Sequence, residues 1–234
     1  MMMTLIVVGV VSGALLIGAA WGVYFGLGRK TEGFLVALAG GALLLSVVSE
    51  LIEPSISRSS VLLAMTGVLA GAIVFTAADY LIDEKWGEKS GGGLLAAVTL
   101  DGIPENLALG VALIGAGPLE VAALAGSILL SNLPEAAGSA REMAASGMPR
   151  YRVMLLWAGT AVLLSAAALV GNVALVGVSE HALAAIRCFA AGAVVASLAT
   201  EVFPKAYRED HHLAGIATAI GVALAFGLGA LAGT

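Results

Sequence analysis

Apolar residues in this chain form long stretches that are separated by short polar segments such as GLGRKTEG, EKWGEKSGG and YREDHH. A transmembrane helix needs about 20 mainly apolar residues, and eight stretches come close to that length. None of them shows the period-two alternation of a membrane β-strand. The pattern predicts eight helical spans, at about residues 4–25, 33–52, 61–83, 93–115, 119–143, 151–174, 181–206 and 212–232.

The composition supports this interpretation. Of the 234 residues, 60% are hydrophobic and only 12% are charged, whereas a soluble domain has about 25% charged residues. We therefore expect residues 1–234 to form a single transmembrane domain. Nucleic-acid binding is not expected, because 11 Lys+Arg face 16 Asp+Glu. A single cysteine, Cys188, excludes an internal disulfide framework and a cysteine-based zinc site.

The distribution of basic residues predicts the orientation. No Lys or Arg precedes the first apolar stretch, and Arg29 and Lys30 follow it, which favours a retained helix with an external N-terminus. The loops then predicted to be cytoplasmic hold nine of the eleven basic residues, and only Arg58 and Arg187 fall outside. The predicted fold class is an all-α polytopic protein of the cytoplasmic membrane, with eight transmembrane helices and both termini outside.

Seven carboxylates lie inside the predicted spans or at their ends: Glu50, Glu53, Asp79, Asp101, Glu105, Glu135 and Glu201. A charged side chain near the bilayer centre costs about 2.5–3.5 kcal/mol. No basic residue is predicted at the depth of Asp101, Glu105 and Glu135. These three acids are therefore either protonated or compensated by a cation.

The fourth and fifth spans share a motif. Asp101-Gly102-Ile103-Pro104-Glu105 and Ser131-Asn132-Leu133-Pro134-Glu135 both read polar-x-aliphatic-Pro-Glu. In each, the first and last residues are four apart and share a helix face, and the proline frees the carbonyl of the residue four positions before it. At 1.5 Å per residue, both pairs lie about 12–18 Å deep. We expect two antiparallel neighbours to bring these groups together as one site near the membrane midplane.

Other polar residues have weaker interpretations. Asp79 and Glu201 lie near inner ends of spans, where they could release a cation, and Glu50 and Glu53 lie near an outer end, where one would arrive. Acids at span ends also simply reach water. Arg141 is expected to face lipid headgroups. The adjacent histidines His211 and His212 lie on a predicted turn, where a ligand role is the less favoured reading.

The two Pro-Glu motifs resemble the His-Asn-x-Pro-Glu-Gly signature of the ZIP family (Zrt-, Irt-like proteins) of divalent metal transporters. Ser49-Glu50-Leu51-Ile52-Glu53-Pro54 and Thr200-Glu201-Val202-Phe203-Pro204 resemble weaker motifs of that family. The resemblance implies eight helices and a metal site on the fourth and fifth of them. It also implies alternating access, in which the helices that carry the site move against a scaffold of the others.

The motifs also depart from the family pattern. Asp101 and Ser131 stand where the family has His, with Gln as a second choice at the latter position, and Gly102 stands where it has Asn. The expected metal ligands are Asp101, Glu105, Ser131, Asn132 and Glu135, an all-oxygen set. Carboxylate oxygens suit Mg, Ca and Mn, whereas imidazole suits Zn, Fe and Cu. The site is therefore expected to be harder than that of a His-containing relative.

These inferences predict a transporter, not an enzyme, whose substrate is a divalent metal ion of the Zn, Fe or Mn class. The expected partners are membrane lipid, the metal ion and a second copy of the chain, as a homodimer. Three other functions stay open. One is a proton-coupled carrier of another small solute, with the acids as a proton relay, and another is an intramembrane hydrolase that uses paired carboxylates. The third is a transporter-like protein that senses or stores metal.

Overall fold

The computed structural model describes residues 2–86, 91–114 and 121–232, and within these ranges the chain forms helices and no strands. The helices are α1 (Met2–Ala20), α2 (Arg29–Val47), α3 (Glu53–Arg58), α4 (Val61–Trp86), α5 (Gly91–Ala112), α6 (Ala122–Ala145), α7 (Arg150–Val173), α8 (Glu180–Ser197), α9 (Phe203–Glu209) and α10 (Ala214–Ala232). Wider π-helical turns extend α1 at Trp21–Phe25, join α2 to α3 at Val48–Ile52, and join α8 to α9 at Leu198–Val202.

Six helical stretches of the described chain are long and apolar enough to cross a membrane. They are Thr4–Phe25, Arg29–Arg58, Val61–Ile82, Arg150–Val173, Glu180–Glu209 and Ala214–Leu231. The motif helices α5 and α6 are not among them, and both carry acidic side chains in mid-helix. The chain is thus a helical multi-pass membrane protein, while the count of eight spans and the side of each terminus stay predictions.

The second and seventh spans are longer than predicted. The segment Glu53–Arg58, expected to be a loop, forms the helix α3. The seventh span, predicted to end at about residue 206, continues as α9 to Glu209. Each of these short helices has its proline, Pro54 or Pro204, in the first turn, where the missing N–H costs little. The π turn immediately before each proline already changes the hydrogen-bond ladder, so the helix continues through a residue that usually ends one.

The chain contains an internal repeat. Pro54 and Pro204 are separated by the same number of residues as the π turns Val48–Ile52 and Leu198–Val202. The contacts between helices show the same correspondence. α4 packs on α8 as α10 packs on α2, and α1 packs on α6 as α7 packs on α5. The segments α2–α3–α4 and α8–α9–α10 are therefore two copies of one unit.

The two copies run in opposite directions. Arg29, at the start of α2, lies 4.0 Å from Glu209, at the end of α9, whereas Arg58, at the end of α3, lies 3.4 Å from Glu180, at the start of α8. We call these the Arg29 end and the Arg58 end of the bundle. The repeat is therefore inverted. In many transporters the substrate site lies where such repeats meet.

The helices α5 and α6 lie between the two copies. Besides their partners α7 and α1, α5 contacts α8 and α6 contacts α2. A buried apolar cluster joins α2, α5, α6 and α8, with members such as Leu43, Leu109, Ile128 and Val194. This arrangement positions both Pro-Glu motifs inside the bundle, close to the scaffold formed by the repeat.

Candidate cation site

In α5 the predicted ligands are buried. Asp101 is 6% exposed and Glu105 is 3% exposed, and Pro104 lies between them without ending the helix. The Oε1 atom of Glu105 is buried and has no hydrogen-bond partner. A buried polar atom without a partner is costly, so a ligand that supplies positive charge would stabilise this position.

Asn106 adds an oxygen donor that the sequence did not single out. Its side chain is fully buried, and its Nδ2 donates a hydrogen bond of 2.9 Å to the carbonyl of Gly102. Its Oδ1 has no partner. The amide follows Glu105 directly. A polar residue that follows a buried acid was the signal that could have found it.

In α6 two of the three predicted ligands are buried. Ser131 and Asn132 are 6% and 2% exposed, and Glu135 is half-buried. Nδ2 of Asn132 donates a hydrogen bond of 3.1 Å to the carbonyl of Val11 in α1. This bond fixes the amide against α1 and leaves its oxygen as the atom available to a cation.

The charges of Asp101, Glu105 and Glu135 act on one another. Glu105 interacts with both Asp101 and Glu135, and Glu135 interacts with Asp101. Over the described residues, however, no three His, Cys, Asp or Glu side chains converge closely enough to hold a metal ion. The acids act on one another, but their side chains do not converge on one point.

A basic residue that the sequence did not connect with this cluster acts on it. Lys205, in the first turn of α9, attracts Glu135. The sequence placed Lys205 at the edge of the seventh span, among residues expected to lie at the membrane surface. The continuation of that helix as α9 keeps the ammonium beside the bundle interior.

Gly102 lies where α5 packs closely against α7. A Cβ atom placed on Gly102 would lie 2.5 Å from Cδ1 of Leu164 in α7. The asparagine that the resembled motif has at this position would not fit here without moving Leu164. The amide at Asn106, four residues later, lies on the same face of α5.

The residues predicted for entrance and exit are distributed along the bundle. Glu50 and Glu201 are half-buried and lie on the two equivalent π turns, whereas Glu53 is exposed in α3. Asp79, half-buried in α4, acts electrostatically on Asp101. The hydroxyl of Ser197, at the end of α8, lies beside the same carboxylate. Asp79 is therefore linked electrostatically to Asp101. Glu50 and Glu201 lie on π turns, which are frequent at functional sites.

A second buried charge cluster was missed by sequence reasoning. The carboxylate of Glu32 is fully buried in the first turn of α2, with Arg141 Nη2 at 3.0 Å from one oxygen and Lys205 Nζ at 3.1 Å from the other. Arg141 Nη1 also donates a hydrogen bond of 2.5 Å to the carbonyl of Leu27. Arg141 thus faces Glu32 and not the lipid headgroups, which corrects the expectation. We call Glu32, Arg141 and Lys205 the ion trio.

The histidines lie apart from both clusters. His211 and His212 are exposed after α9, with ring centroids 3.9 Å apart, and His181 is exposed at the start of α8. Cys188 is buried in α8. None of these side chains joins a group of metal donors among the described residues.

No protein-family model matches the chain, and no curated protein is significantly similar to it.

Proposed function

We propose that this protein is a transporter of divalent metal cations and that Asp101, Glu105 and Glu135 form the core of its substrate site. The observation that carries the proposal is the electrostatic cluster of these three acids between the two copies of an inverted repeat, where Asp101 and Glu105 are buried and Glu135 is half-buried. Intramembrane acids mark ion pathways, and inverted repeats commonly hold a substrate at their interface.

The ligand atoms define the chemistry of the site. Oxygen atoms of Glu105 and Asn106 are buried without a partner, and Ser131 and Asn132 contribute a hydroxyl and an amide oxygen from α6. All of these donors are hard, so the site should accept Mn²⁺. It should also accept Zn²⁺, because affinity at oxygen sites still follows the Irving–Williams order. The resemblance of both motifs to the ZIP family supports the same substrate class.

The mechanism follows from how the helices are grouped. The site helices α5 and α6 pack along α7 and α1, whereas α2, α4, α8 and α10 pack mainly on one another. A shift of the first group against the second would carry the cluster along the bundle. Asp79, on the second group, acts on Asp101 and would receive the cation on one side of that movement, with Glu201 as a further ligand of the exit.

Equilibrium binding to the purified protein tests the site. Titration with Mn²⁺ and with Zn²⁺ should show saturable binding, and Glu135→Gln should weaken both ions by about tenfold or more, because it removes charge in a region of low dielectric. Glu142→Gln is the matched control, since it is an exposed glutamate on the same helix. Equal affinities in wild type and Glu135→Gln would refute the assignment. A proton-coupled carrier of another solute would show no saturable metal binding.

A further inference from the structure

Lys205 occupies an unusual position for a lysine. It follows Pro204 in the first turn of α9, and its Nζ lies 3.1 Å from Oε1 of Glu32, whose carboxylate is fully buried. The lysine side chain itself is only 24% exposed. A buried carboxylate needs a compensating charge, so Glu32 holds the ammonium inside the bundle.

The contact with Glu32 lies directly against the site helix α6. A Cβ atom placed on Gly138 would overlap Oε1 of Glu32 and would lie 3.0 Å from Nζ of Lys205. Gly138 follows Glu135 by three residues, so the two positions share one face of α6. The ammonium therefore lies beside α6 about one helical turn from position 135, and it attracts the Glu135 carboxylate.

We propose that Lys205 is a tethered counter-cation of the carboxylate cluster and that it sets the affinity for the transported cation. The proposal rests on the function proposed above. An ammonium and a divalent cation are both attracted by the same carboxylates, so each weakens the binding of the other. Glu32 limits this competition, because it holds Lys205 about one turn away from Glu135.

The two partners should therefore have opposite effects on cation affinity. Lys205→Gln removes the competing charge and should strengthen Mn²⁺ binding by about tenfold. Glu32→Gln releases the ammonium toward Glu135 and should weaken Mn²⁺ binding. The double variant has no lysine to release, so its affinity should match that of Lys205→Gln alone. Lys205→Arg keeps the charge and should bind Mn²⁺ as the wild type does.

A purely structural role predicts a different pattern. If Lys205 and Glu32 only hold α9 to α2, both single substitutions should disturb the bundle and weaken binding together. The exposed Arg208, three residues further along α9, provides the control, and Arg208→Gln should leave the affinity unchanged.

The deciding experiment is titration of purified wild type and the five variants with Mn²⁺ alone, with free Mn²⁺ measured by electron paramagnetic resonance. Stronger binding in Lys205→Gln together with weaker binding in Glu32→Gln supports the proposal. Weaker or unchanged binding in Lys205→Gln, in a wild type that binds Mn²⁺, overturns it and leaves the proposed function intact. If Glu32→Gln does not fold, Lys205→Gln and Lys205→Arg decide the question by themselves. A wild type that binds no divalent cation refutes both proposals.

Discussion

The Nη2 atom of Arg141 lies 3.0 Å from Oε2 of Glu32, and this contact joins the site helix α6 to the scaffold helix α2. The sequence predicts that Arg141 faces lipid headgroups, and it does not single out Glu32. The glutamate is fully buried, and it is shared with Lys205 from α9. Three helices therefore meet at one carboxylate.

The ion trio should show non-additive effects on stability. Arg141→Gln or Lys205→Gln alone leaves one cation beside Glu32, so each should cost little. The double variant leaves a buried carboxylate without a partner, which should cost about 3–5 kcal/mol and more than the sum of the single effects. Thermal unfolding of the purified protein in detergent measures this.

The matched control uses the two ion pairs whose arginines are exposed. Arg29→Gln and Arg58→Gln remove contacts of 4.0 and 3.4 Å at the two ends of the bundle, and each should cost about 0–1 kcal/mol and combine additively. Strict additivity in the Arg141/Lys205 pair would show that Glu32 does not depend on either cation.

Gly138 should be intolerant of a side chain. A methyl group there would overlap the carboxylate of Glu32, so Gly138→Ala should lower the melting temperature by separating the trio. Gly126 on the same helix is the control, because a Cβ there would meet only Leu228, at 3.7 Å. Gly126→Ala should leave the melting temperature unchanged or raise it, since alanine favours a helix. Equal effects of the two substitutions would argue against tight packing at the trio.

Cysteine labelling should place the two ends of the bundle on opposite sides of the membrane. In a Cys188→Ala background, Arg58→Cys and Glu180→Cys should react from the same side, because their side chains lie 3.4 Å apart. Arg150→Cys should react from the other side, because the Arg150 guanidinium lies over the ring of Tyr24 at the Arg29 end. The sequence predicts that the Arg58 end is external. Labelling of positions 58 and 150 from one side would contradict the placement of the two ends on opposite sides of the membrane.

Metal preference should depend on the donor atom at position 101. Asp101→His exchanges a hard anionic ligand for a neutral imidazole, so it should raise the preference for Zn²⁺ over Mn²⁺ while lowering the total charge of the cluster. Competition of the two ions for the purified variant gives the ratio directly. An unchanged ratio would mean that Asp101 is not a ligand.

The sequence predicted much of the fold because its strongest signals are local. Long apolar stretches require helices in a membrane, and the i to i+4 spacing of Asp101 and Glu105 follows from helix geometry. The extension of the helix through Pro54 was not foreseeable by the usual proline rule. It depends on the π turn that precedes the proline. The equivalent proline in the second copy of the repeat, Pro204, was the signal that could have indicated it.

The ion trio could not be predicted because it depends on contacts between distant parts of the chain. Glu32 comes directly before an apolar stretch and beside Arg29 and Lys30, so its local pattern is that of a solvated loop. Only the packing of α2 against α6 and α9 buries it. The same packing brings Lys205 beside α6, close to the turn that carries Glu135, which its local sequence does not indicate.

Uptake of Mn²⁺ into proteoliposomes tests the central claim most directly. Wild-type protein should load Mn²⁺ above empty liposomes, an external chelator should abolish the signal, and an imposed pH gradient shows whether protons are coupled to transport. Glu105→Gln should lose uptake while Glu142→Gln, an exposed glutamate on α6, retains it. Uptake by Glu105→Gln at the wild-type rate, or no Mn²⁺ or Zn²⁺ uptake by the wild type, would contradict the assignment of a divalent cation transporter.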